Sequence, residues 1–183
     1  MADDLDVRGA WREVVTLSEA QRATARRTLE ADAPTRERIA KALGLDALLE
    51  LRADLRVSPW LDGVQIDGGW RAQVRQTCGV TLEPFESGLE GQLHVRALPQ
   101  GSSALGGPDE AGGELDLDPD ADDPPDILAD DMIDLGAYVV EDLSLAIDPF
   151  PRKPGVAFEA PEQPGEPSPF AVLAKLKGGA PDA

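Results

Sequence analysis

The side chains equipped for chemistry are few in this chain. Cys78 is its only cysteine and His94 its only histidine. A zinc site built from thiolates and imidazoles therefore lacks ligands, and a Ser-His-Asp triad has a single base to draw on. Cys78 shares strand parity with Trp70 and Val74, an inward apolar face on which a thiol serves as a small filler; the residue three places on is Thr81, not a second cysteine. His94 alternates with Glu90 and Arg96 on a polar face and reads as a surface histidine. No Gly-rich phosphate loop, paired Cys-x-x-Cys spacing or nucleophile elbow occurs.

The densest titratable group is Asp116, Asp118, Asp120, Asp122 and Asp123. A calcium loop starting at Asp116 needs Gly at its sixth position and Glu at its twelfth; Ala121 and Ile127 stand there. Two-metal phosphodiester chemistry needs carboxylates held rigidly about 4 Å apart, whereas these alternate with Pro119 and run into Pro124 and Pro125. The series reads as a solvated acidic loop with weak cation binding as the lesser alternative. No cofactor is expected. Arg71 and Arg75 fall on the outward face of a long strand, with Arg96 near them. They could touch RNA phosphates, or pair across strands with Asp67, Glu90 and Glu50. Eight aromatic residues in all leave no stacking platform for single-stranded RNA.

The elements that position these groups follow from periodicity. Trp11–Leu17 reads as a strand. Ser18 and Gln21 have capping-box spacing and predict a helix running to about Leu29. Pro34 opens a second helix that Gly44 closes. Three alternating stretches follow. Leu49 to Val57 is the first, with a helical turn over 46–50 as an alternative for its start. The others are Val64 to Cys78 and Leu89 to Ala97. Joined by short turns, they predict an antiparallel sheet with one solvated face. Asp134 caps a helix whose stripe is Leu135, Val139 and Leu143, and Pro149 ends it. Ser168 and Pro169 open a short helix with Phe170, Leu173 and Leu176 on one face, expected to dock on the chain's own sheet or in a partner's groove.

The net charge of −18 is concentrated. Residues 97–151 hold 15 acids and no Lys or Arg, while residues 1–96 hold 13 bases and 16 acids. That stretch repels a phosphate backbone and attracts a basic protein. No run approaches the roughly 18 apolar residues that span a bilayer, and the chain starts acidic, unlike an export signal. With a lone cysteine, the cytoplasm is the expected location and no membrane the expected partner.

The segment Cys78-Gly79-Val80-Thr81-Leu82-Glu83-Pro84-Phe85 resembles the Cys-x-x-Cys-Leu-Glu-Pro segment of the YceD-like large ribosomal RNA subunit accumulation proteins. Ile133-Asp134-Leu135-Gly136, then Val140 to Ala146 and Asp148-Pro149, is similar to that family's helix start and its Glu- and Leu-rich helix. Phe150 to Gly155 with Ser168 to Leu173 looks like its alphaproteobacterial branch. The resemblance implies a role in accumulating large-subunit (23S) ribosomal RNA and carries over no catalytic residue. Thr81 replaces a cysteine of many relatives, so zinc proposals for those relatives do not transfer.

Together these readings predict an α+β domain over 1–97 and 126–177: an antiparallel sheet that could curl toward a barrel, with flanking helices. A mobile acidic loop is expected over 98–125 and a disordered tail over 178–183. The expected function is ribosome biogenesis by binding rather than catalysis. The partner is a basic ribosomal protein or assembly factor, met by Asp116, Asp118, Asp120, Asp122, Asp123, Arg152 and Lys153; RNA contact through Arg71 and Arg75 is weak or indirect. The alternative is a metal-dependent RNA-processing nuclease using the acidic cluster.

Overall fold

In the computed structural model the chain divides into two units, residues 1–153 and 154–183. The structure describes residues 7–105 and 124–157, and all its helices and strands belong to the first unit. The Asp116 to Asp123 series and the helix expected at Ser168 lie outside the described residues.

The centre is a five-stranded sheet in spatial order β2 (Ala25–Glu30), β3 (Ala47–Trp60), β4 (Gly63–Thr77), β5 (Pro84–Pro99) and β6 (Asp126–Leu128). The pairs β2–β3, β3–β4 and β4–β5 are antiparallel. A two-residue turn, Leu61-Asp62, joins β3 to β4, because Trp60 pairs with Gly63. Period-2 alternation sends Leu51, Ala53, Leu55 and Val57 inward with Val64, Ile66, Trp70, Ala72 and Val74, all buried. The helices α1 (Leu17–Arg22), α2 (Ala33–Leu43) and α3 (Leu135–Ala146) add Leu17, Ile39, Leu135, Val139, Val140 and Leu143 to the same core. A second, two-stranded sheet pairs β1 (Val14–Thr16) with β7 (Met132–Asp134).

Four expectations change. Among the described residues the sheet is open: β2 and β6 are its two ends and do not pair, so it does not close into a barrel. β6 runs parallel to β5, with Leu98 opposite Ile127, which a purely antiparallel reading excluded. The predicted helix to Leu29 stops at Arg22, and 25–30 forms β2 instead. The capping box is Thr16 with Glu19, two residues earlier than Ser18 with Gln21. Helix propensity in 23–29 loses to pairing with the open edge of β3, where Thr28 also donates to Asp54 at 2.7 Å. Finally, a register shift between Leu48 and Glu50 turns Leu48 inward and leaves Leu49 exposed, and the chain there is strand rather than helical turn.

The remaining ends follow local rules. Asp32 caps α2, and Gly44 closes it in the left-handed region at φ 66°, where its N–H reaches the carbonyls of Ala40 and Lys41. Asp134 caps α3 by accepting from Gly136 and Ala137, and it also accepts the Glu13 N–H at 2.9 Å. One carboxylate thus starts the helix and ties it to the N-terminal segment. Ser102, buried just past β5, donates to Asp62 at 2.7 Å.

Candidate binding surfaces

The helices cover one face of the sheet, so the other carries the charged residues that alternate with the core. Arg71 and Arg75 are both exposed on β4. Arg75 is committed: its Nη2 lies 2.7 Å from Glu86, its cross-strand neighbour. Arg71 stands in register between Arg52 on β3 and Glu90 on β5 and makes no ion pair among the described residues. The expected partners Asp67 and Glu50 are not used by either arginine; Asp67 holds His94, at 2.6 Å. Arg96 lies over the Trp60 ring, 5.3 Å from its centroid. The arginines of this face are thus interleaved with carboxylates, a pattern that favours sheet pairing.

Cys78 follows β4 in the six-residue turn to β5 and is fully buried. Its surroundings are more polar than an apolar filler requires. The Lys153 N–H points at its sulfur from 3.4 Å. That hydrogen bond, followed by those from the Thr81 hydroxyl and the Thr81 and Val80 backbone, outweighs burial and holds the thiol down at about 6. The same turn receives residues 151–153: Gly79 N–H donates to the Pro151 carbonyl at 2.9 Å, and Lys153 Nζ meets Glu83 at 3.0 Å. Tertiary structure therefore joins two segments distant in sequence, 78–85 and 150–153. Arg152 is exposed beside them, whereas Lys153 is engaged with Glu83. His94 pairs opposite Asp67, eleven residues back along β4 from Cys78, or about 35 Å of extended chain. Cysteine and histidine cannot act as a dyad.

The acid-only stretch returns to the described residues at β6 and continues through β7 and α3. It brings Asp126, Asp130, Asp131, Asp134, Glu141, Asp142 and Asp148. Some have structural duties. Glu141 receives Arg8 in two contacts of 2.9 and 3.0 Å, and Asp142 accepts from the Trp70 indole at 2.6 Å. Tyr138 is half-buried beside Asp126; burial first, then that carboxylate, pushes its hydroxyl well above the usual range. Between β6, β7, the first turn of α3 and the 3-10 turn Arg8–Ala10 lies a cleft of about 500 Å³. Ile127 and Met132 line it while 63% and 47% exposed. Sequence reading passed over these two residues. The available signal was their place as isolated large apolar residues inside an acidic run. No group of three or more His, Cys, Asp or Glu among the described residues is placed to hold a metal ion, and no described helix is long and apolar enough to cross a membrane.

Neither a search of curated proteins nor one of solved structures finds a match. A family model does match, over residues 66–177, from β4 through α3 and beyond. That span exceeds half of the chain and contains the Cys78 turn, the acid-only stretch and the Asp134-capped helix. The chain accordingly belongs to the YceD family, the large ribosomal RNA subunit accumulation proteins.

Proposed function

We propose that this protein promotes accumulation of large-subunit ribosomal RNA by binding, engaging a basic ribosomal protein or assembly factor of that subunit through its acid-only stretch. The observation that carries this reading is the charge distribution: 15 acids and no Lys or Arg over 97–151, inside the span that matches the family. Such a segment offers a basic protein a complementary field, which speeds encounter and makes association salt-sensitive. It disfavours an RNA backbone for the same reason. Asp116, Asp118, Asp120, Asp122 and Asp123 are its densest part, with Arg152 and Lys153 as the flanking contacts.

The test uses the full chain and the proteins released from purified large subunits by high salt. At low ionic strength the chain should retain a basic component, and Asn at those five Asp positions should abolish retention. Cells lacking the gene should have fewer large subunits, with small subunits comparatively spared. Tight binding of precursor RNA that is lost in Arg71→Ala with Arg75→Ala would refute the protein-partner reading and move the site to the open sheet face.

A further inference from the structure

We infer that the cleft between β6, β7 and α3 receives an extended basic segment of a protein partner, whose apolar side chains enter beside Ile127 and Met132. The inference rests on the binding reading above and gives it a location among the described residues.

The cleft exists because the chain changes sheets. β6 pairs with β5 in the large sheet, and β7, three residues later, pairs with β1 in the small one. The two strands part, and α3 begins directly behind them. Ile127 and Met132 sit one on each side of the divergence, and both remain largely exposed in the same cleft. Single exposed apolar residues are ordinary; two that flank one concavity form a place to bury a partner's side chain.

Charge selects the occupant. The cleft's cations are already matched: Arg8 is held by Glu141 at 2.9 Å, and Arg12 faces Asp134 at 3.7 Å. Its remaining carboxylates, Asp126 and Asp130, take hydrogen bonds from neutral groups, the Tyr138 hydroxyl and the Met132 N–H. Neither makes a close ion pair among the described residues. Although Asp126 also lies in the field of Arg8, the lining holds three carboxylates, Asp126, Asp130 and Asp134, against Arg8 and Arg12, so the rim keeps a negative excess. A lysine or arginine there gains attraction, and a phosphate is repelled. The shape favours an extended chain. β6 ends the sheet order among the described residues, so one edge of it pairs with no described strand. Strand addition reads alternate side chains, which suits a sequence alternating basic and apolar residues.

The test titrates labelled peptides against the full chain by fluorescence anisotropy: one alternating Lys and Val, one Lys and Ser, one Glu and Val. The Lys–Val peptide should bind, the Lys–Ser peptide should bind about tenfold or more weakly, and the Glu–Val peptide should not bind. Ile127→Lys with Met132→Lys should weaken Lys–Val binding about tenfold or more, and the milder Ile127→Ser with Met132→Ser should weaken it in the same direction. Both side chains are exposed, so thermal unfolding should match the wild type and verify folding. Unchanged binding in both double variants, or equal affinity for Lys–Val and Lys–Ser, overturns the cleft. If the five-Asp variant alone abolishes binding, the cleft falls while the acid-stretch reading stands. If no basic peptide binds at low salt and no large-subunit protein is retained, both fall.

Discussion

The indole N–H of Trp70, at the centre of β4, donates to the Asp142 carboxylate on α3 at 2.6 Å, across 72 residues of sequence. Gly91, opposite Trp70 on β5, makes room for the contact: a Cβ there would stand 2.5 Å from Asp142 Oδ2 and 2.6 Å from the indole. A polar tie thus joins helix to sheet beside the apolar contacts of Val139, Val140 and Leu143. Asp142→Ala leaves a buried donor unpaired and should cost about 1–3 kcal/mol, while Asp142→Asn, which keeps an acceptor, should cost less. Gly91→Ala should cost about 1–3 kcal/mol by overpacking. Denaturant unfolding of the three variants measures this, and a neutral Gly91→Ala would mean that α3 sits further from the sheet.

Asp134 should matter more than an ordinary helix cap. It accepts from Gly136 and Ala137 at the start of α3 and from Glu13 in the N-terminal segment. Asp134→Ala should cost about 2 kcal/mol, the upper end for lost caps, and Asp134→Asn only a fraction of that. The same unfolding experiment separates them; equal losses would show that charge, not the acceptor, is what counts.

Cys78 should make stability depend on pH. Its folded-state value of about 6 lies below the ordinary 9.0. Between those values the unfolded chain still holds a proton that the folded chain has lost, so stability rises with pH through this window. The contribution is complete above about 9 and is lost as pH falls through about 6. The difference in melting temperature between wild type and Cys78→Ala should therefore widen from pH 6 to pH 9. A difference that is constant across the window would show that the N–H donors do not favour the thiolate.

The open sheet face should prove tolerant. Arg75–Glu86 is solvent-exposed, and exposed pairs contribute about 0–1 kcal/mol. Arg71→Ala with Arg75→Ala should leave the melting temperature almost unchanged, and filter binding should find equally weak RNA affinity in variant and wild type at physiological salt.

Much of this architecture was legible in the residues. Alternation marked β3, β4 and β5, because a half-buried strand must alternate. Pro34, Gly44 and Asp134 marked helix ends, because each satisfies or removes an end group of the backbone by itself. The acid-only stretch and the motifs around Cys78 and Asp134 pointed to the family that the chain belongs to. What local signals missed was settled by contacts between distant segments. Residues 25–30 have the composition of a helix, but β3 offered an open edge whose hydrogen bonds had to be met. The parallel pairing of β6, and with it the cleft holding Ile127 and Met132, depends on where the chain re-enters after Pro99, which no local period encodes. The polarity of the Cys78 site comes partly from Lys153, 75 residues away. Periodicity and caps are properties of neighbours in sequence; pairing partners and the environments they create are properties of the assembled sheet.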